Sequence, residues 1–530
     1  MPFTDILRTP DGVMLETAGG FEPMRACGSG FDAPGVRLDC AGGRMTVLWS
    51  PSVPERAPKR FRLRWKGDNR AVRLVYRPVW SFNCTEAGWH PVIPEEPMPW
   101  YFLAHDGKTT VGCGVKTGPN AFAFWQVDAC GVTLWLDVRC GGEGVQPKAP
   151  LLAAETVSAA FEGPSYAAAQ QFAAMLCPAP RLPSRPVFGS NNWYYAYGNI
   201  SRESVLEDAA LMGSLVDGAL RPYMVIDDGW QKNRRTGYIG GPWTPNARFG
   251  DMQETARGIR ERGCIPGIWI RTLLSEDPAL PDAWKLHRPK GPQPETGFLL
   301  DPSVPDVLAQ IGEDVRRLRL WGYDLIKHDF SASDLVGPEG SRIGAQISPE
   351  GWHFFDRSRT TAQITKALYR TIEDAASGAL VIGCNTFSHL TAGIHAVLRS
   401  GADTSGYYWE VTRKNGVGTL AQLLHQNGRF YMTDADCAAF TPRVSTEMNL
   451  RFADLVSRSG TSFFCSITPG QLSPAELARL RKIYERASRP AELEPLDWMH
   501  TACPGEYLDC GERVSYDWFS DTAGVRTFYA

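Results

Sequence analysis

The sequence predicts an α/β chain in which a (β/α)8 TIM barrel is preceded by an N-terminal β-sandwich domain. Three observations carry that expectation. Up to about residue 186, short strand-like runs are broken by Gly and Pro. Beyond it, apolar runs alternate with helical patterns, and there are eight such runs over roughly 300 residues, which is the size and order of this barrel. No G-x-G-x-x-G or G-x-x-x-x-G-K motif supports the competing open, doubly wound sheet.

The first domain is placed at residues 1–176. Phe61-Arg62-Leu63-Arg64-Trp65 alternates apolar and basic residues strictly, as a half-buried antiparallel strand does. A second strand is read at 132–138, and a helix over 166–175 closes the domain. Residues 177–186, Cys177-Pro178-Ala179-Pro180-Arg181-Leu182-Pro183-Ser184-Arg185-Pro186, form a linker, because each proline removes a backbone donor and fixes an extended φ. The barrel is assigned to 187–470, with strands at 187–193, 222–226, 265–270, 323–327, 380–384, 394–398, 430–432 and 461–467. Helical patterns at 203–215, 252–262, 304–320, 360–376, 419–426 and 447–457 separate most of them. Residues 471–530 are expected to pack on the barrel as a helix at 475–487 and a short β tail that includes 507–508 and 526–529.

Bulk properties narrow the function. The 530 residues are 43% hydrophobic and 21% charged with a net charge of -3, so no basic excess recruits nucleic acid. No run reaches the ~18 apolar residues that span a bilayer, and Met1-Pro2-Phe3-Thr4-Asp5 lacks a signal pattern; a cytoplasmic protein without a membrane partner is expected. Thirteen scattered cysteines with no Cys-x-x-Cys pair fit free thiols rather than disulfides or zinc clusters. The 17 Trp and 17 Tyr suit sugar-stacking surfaces, although a large aromatic core explains such counts more simply.

Active sites of such barrels lie at the carboxyl ends of the strands. The most informative stretch is Tyr323-Asp324-Leu325-Ile326-Lys327-His328-Asp329-Phe330, where Lys327 and Asp329 stand two apart on one face and His328 turns away to pack. Lys327 is expected to hold Asp329 ionised, making it a nucleophile or metal ligand. Asp227-Asp228-Gly229-Trp230 ends the second strand, Arg399 to Asp403 follows the sixth, and Asp434 and Asp436 follow the seventh, where a loop role is expected. Asp227 and Asp228 are adjacent, so one of them faces the site unless the Gly229 turn presents both. Carboxylates at four of eight strand ends repel one another unless a polyhydroxylated substrate or a metal satisfies them. No histidine pair with metal-ligand spacing accompanies them, so no resident metal or cofactor is expected, with calcium or magnesium left open. His389 and His395 are read as satisfied core or surface residues.

Taken together, Asp227-Asp228-Gly229-Trp230, Lys327-x-Asp329 and Arg399-x-x-x-Asp403 resemble the clan of retaining α-galactosidases that includes the raffinose synthases. The resemblance covers about half of the chain, 187–470, and implies an oligosaccharide or glycoside substrate. It implies Asp329 as nucleophile and Asp403 as acid/base, with Asp227, Asp228 and Lys327 gripping the sugar hydroxyls, Arg399 near the 2-position and Trp193 stacking on the ring. Trp230, Trp269, Arg271 and Asn385 complete the expected substrate-binding set. Retention would place the two carboxyl groups about 5–5.5 Å apart. Two positions depart from the clan. Arg271 stands where an acidic residue is common, either as a rim salt bridge or as a receptor for an anionic substituent, and Cys384-Asn385-Thr386-Phe387 replaces a glycine-rich segment. Transglycosylation of the raffinose-synthase kind and noncatalytic carbohydrate binding are the alternatives. Homo-oligomerisation is left open.

Overall fold

The computed structural model describes residues 3–81, 87–216, 220–232, 240–288, 297–340 and 348–520. The expected strand at 526–529 lies outside them.

Two antiparallel sheets of five and nine strands occupy the N-terminal part, between Gly12–Thr17 and Leu151–Glu162. Arg60–Lys66 lies in the middle of the five-stranded sheet, and its alternation is realised as burial: Phe61, Leu63 and Trp65 are fully buried while the arginines point outward. Arg64 meets Asp128 at 2.6 Å and Arg60 pairs with Glu16. The helix Ser165–Leu176 lies against the nine-stranded sheet at Gly112, where a Cβ would come within 2.4 Å of the Phe172 ring. Glycine is what allows that approach.

Residues 177–186 carry no regular structure. They are tied to the barrel by Arg181, which meets Glu373 at 2.5 Å. The sandwich does not stand apart from the barrel. Its core cluster takes in Leu398, Phe430 and Tyr431, Tyr76 Oη donates to the Gln422 carbonyl at 2.8 Å, and Lys366 Nζ reaches the Gly118 carbonyl at 2.6 Å.

The barrel is closed by eight parallel strands: β1 Phe188–Asn191, β2 Tyr223–Ile226, β3 Ile265–Ile270, β4 Leu325–His328, β5 Leu380–Gly383, β6 Val397–Arg399, β7 Met432–Phe440 and β8 Ser462–Ile467. Each overlaps one of the expected runs, and the two largest differences of extent are at β6 and β7. β6 begins three residues later than expected, at Val397. β7 continues to Phe440 and shifts register between Asp434 and Cys437, so Asp434 and Asp436 belong to a strand rather than a loop. Helix starts follow capping chemistry: Ser201, Asp251, Thr360 and Ser473 each accept a backbone N–H of the first turn. The expected helix at 419–426 is the end of a longer helical stretch that contains a π-helical turn at Arg413–Gly418.

Val225, Leu325, Ile382 and Val397 pack inside the barrel. Each stands two residues before Asp227, Lys327, Cys384 and Arg399 respectively, so the alternation that fills the core also aims these polar groups into the mouth. The helix Pro474–Ala487 and a three-stranded sheet, Leu493–Pro495, Glu506–Asp509 and Glu512–Ser515, follow β8. Among the described residues no helix is long and apolar enough to cross a membrane.

Candidate active site

Lys327 is buried at the end of β4 and donates to Asp227 Oδ2 at 2.7 Å. The expected direct pairing with Asp329 is therefore replaced by a bridge across the barrel mouth to the end of β2, two strands away. Burial opposes the ammonium, yet Asp227, with Cys384 and Asp329 adding, holds Lys327 well above the ordinary lysine value. Asp227 Oδ2 also accepts from Asn191 Nδ2 at 2.7 Å, and its backbone N–H donates to Asn192 Oδ1 at 3.0 Å. Asn191 and Asn192 were not assigned a role from sequence; the polar Asn-Asn pair ending an otherwise apolar strand was the available signal.

Asp228 turns the other way, where Gln231 Nε2 donates to its Oδ1 at 2.6 Å. Burial lifts its carboxyl to about 6, with the Asp227 charge adding and the Gln231 bond opposing. Gly229, at φ +112°, makes the turn that follows the two aspartates, and a Cβ there would strike the Gly198 backbone.

Asp329 follows β4 and is half-buried. Trp269 Nε1 donates to its Oδ2 at 3.0 Å and the Phe330 amide to its Oδ1 at 2.7 Å, so each oxygen is oriented by one N–H. Trp269 thus acts on Asp329 from behind. Trp230 lies deeper: it is fully buried, donates Nε1 to the Trp269 carbonyl at 2.9 Å and packs on Trp243 and Trp321. His328 packs outward against Tyr369 and His395 as alternation requires. His395 is buried with Glu373 at 2.9 Å, and His389 is buried between Trp80 and Trp100.

Asp403, four residues beyond β6, meets Arg399 Nη2 at 2.9 Å and keeps 56% of its side chain open to the cleft. The barrel wall around it partly desolvates the carboxyl and pushes it above the usual range, Asp436 and Asp329 adding to the effect while Arg399 and Lys327 oppose it. Arg399 is fully buried and also pairs with Asp436 on β7. Asp434 is buried as well, accepting from Ser462 Oγ at 2.9 Å.

Trp193 opens a short helix just past β1, edge-on to Tyr197 at 5.4 Å and half-buried. Arg271 forms a bidentate bridge to Asp334 at 2.6 and 3.0 Å and lies over the Phe330 ring at 4.1 Å, the geometry of a salt bridge. Its partner Asp334 was not foreseen, because it lies in the helix after β4. Asn385 is buried and links the segments after β5 and β4 through Nδ2 to Ser333 Oγ at 3.1 Å. No group of three or more His, Cys, Asp or Glu among the described residues is arranged to hold a metal ion.

No family model matches the chain. Solved structures match over nearly its whole length. The α-galactosidase of Thermus thermophilus, solved in complex with p-nitrophenyl α-D-galactopyranoside, shares 19% identity and a TM-score of 0.60, covering 96% of this chain and 99% of its own. The chain has the fold of an α-galactosidase. A GH36 α-galactosidase of Geobacillus stearothermophilus in complex with 1-deoxygalactonojirimycin matches at 14% identity and TM-score 0.58, over 88% of this chain and 69% of its own. An α-galactosidase of Lactobacillus brevis matches at 14% and 0.58, over 92% and 74%.

Proposed function

We propose that the protein is a retaining α-glycosidase that releases terminal α-linked galactose or a related sugar by double displacement. The observation that carries the reading is the contrast between two carboxyl groups at one barrel mouth. Asp329 presents an oxygen pair oriented by Trp269 and the Phe330 amide, while Asp403 is held above the usual carboxyl range and open to the cleft. One suits attack at the anomeric carbon and the other suits proton donation.

In the first step Asp329 forms the glycosyl ester as Asp403 protonates the departing oxygen. Asp403, now ionised beside Arg399, then takes a proton from water, which attacks the anomeric carbon and frees Asp329. Asp227, Asp228 and Lys327 present polar atoms for the sugar hydroxyls, Arg399 lies toward the 2-position, and Trp193 stacks on the ring. Similar structures solved with p-nitrophenyl α-galactopyranoside, stachyose and raffinose make α-galactosides the first substrates to try.

The test is hydrolysis of a p-nitrophenyl α-glycoside panel, galactose, N-acetylgalactosamine, glucose and arabinose included, by wild type beside Asp329→Ala. Cleavage of the galactoside that drops at least ~10⁴-fold in the variant is expected, since loss of a nucleophile removes the covalent route. A variant at wild-type rate would sink the assignment.

A further inference from the structure

We propose that Asp436 is the positioning residue of this site: one carboxylate oxygen holds Arg399 and the chain carrying Asp403 in a single arrangement. The inference rests on reading Asp403 as the acid/base.

Asp436 Oδ2 accepts from Arg399 Nη2, Tyr194 Oη, the Thr404 amide at 2.8 Å and Thr404 Oγ1 at 3.0 Å. These donors come from β6, from the short helix after β1 and from the residue next to Asp403. On the opposite edge of the same peptide group, Asn415 Nδ2 of the π-helical turn donates to the Asp403 carbonyl at 2.8 Å. The single peptide unit that follows the acid/base is thus held from two directions, its N–H by Asp436 and its carbonyl by Asn415, while the Asp403 side chain stays free to face a substrate. Asp436 itself is 3% exposed and takes φ +70° on the irregular part of β7, a conformation that aims its side chain away from the regular ladder.

Simple neutralisation of Arg399 does not require this arrangement. Asp403 already meets Arg399, but as an acid/base it must alternate between charged and neutral forms, and in the neutral form it no longer balances the guanidinium. Asp436 supplies the partner that stays, so Arg399 and the loop keep their places while Asp403 changes charge. Its proximity also makes Asp403 harder to ionise, as a proton donor requires.

Asp436→Asn is the informative variant, because Asn keeps the volume, tolerates positive φ and can still accept one N–H, losing chiefly the charge. With an unactivated oligosaccharide, whose leaving group needs a proton, the rate should fall by ~10²-fold or more. With a p-nitrophenyl glycoside, whose leaving group needs none, the fall should stay within ~10-fold. Equal losses on both substrates would mean a merely structural role and overturn the proposal. Amide hydrogen exchange over the segment 400–408 is the second readout, in Asp436→Asn and in Thr404→Val, which leaves the Arg399 pair in place. Faster exchange by ~10-fold or more is expected in Asp436→Asn, with a smaller rise in Thr404→Val. Unchanged exchange in Asp436→Asn overturns the clamp even if wild type cleaves no glycoside tried, whereas faster exchange without turnover would leave the clamp standing and reject only the assigned reaction.

Discussion

Asp228 is the residue at which stability and function pull apart most clearly. Its carboxyl is raised from 3.8 to about 6, so its ionised form is disfavoured by folding. A raised folded value means that the native state binds the proton more tightly than the unfolded chain. That contribution is intact below the unfolded value and is lost as pH rises through about 6. At neutral pH the whole penalty is in place, of order 1–3 kcal/mol. Asp228→Asn should therefore be more stable than wild type at pH 7 by about that amount, with the gain narrowing as pH falls toward 4, while it binds sugar more weakly. Denaturant midpoints at the two pH values, beside sugar affinity, check this; a variant no more stable at pH 7 would contradict the reading. Lys327-x-Asp329, Asp227-Asp228 and Arg399-x-x-x-Asp403 were legible because charged residues ending apolar runs stand out in a sequence. The partner choices were not legible. Lys327 reaches past β3 to Asp227 rather than along its own strand, and such pairings depend on how the closed barrel turns alternate strands toward one mouth.

At the scale of elements, β1 and β2 show how closely the barrel strands approach. A Cβ at Gly189 would lie 2.0 Å from the Tyr223 carbonyl oxygen and 2.6 Å from its amide nitrogen, and both belong to the paired backbone of β2. Backbone cannot rotate out of the way as a side chain can. Gly189→Ala should cost about 1–3 kcal/mol or more, and it should also lower activity, because β1 delivers Asn191 to Asp227. Denaturant unfolding with a parallel activity assay measures both, and a variant with wild-type stability would count against this register. The eight strands were readable from apolar runs bounded by Gly, Pro and polar residues. β7 was read too short for a physical reason: the charged Asp434 and Asp436 interrupt the run, so the strand loses its apolar signature where it continues. Nothing in the residue types announces the positive φ of Asp436 either.

Across the whole molecule, the sandwich and barrel are joined by shared apolar packing and by polar contacts such as Tyr101 Oη to His425 Nε2 at 2.7 Å. The two architectures were visible from a change of rhythm, period two giving way to alternating strand and helix. Their contact was not, because interface residues such as Tyr76, Trp100 and His389 look like any other core residues. The same joining places the helical stretch after β6 between the sandwich and the loop that carries Asp403: the Gln422 carbonyl accepts from Tyr76 while Asn415 holds Asp403. The central claim is that Asp329 forms a covalent bond to the sugar. It is tested most directly by incubating the protein with 5-fluoro-α-galactosyl fluoride, digesting it, and locating the label by mass spectrometry. A glycosyl adduct on the peptide containing Asp329, absent in Asp329→Ala, is predicted; an adduct on Asp403 or another carboxylate would contradict the account.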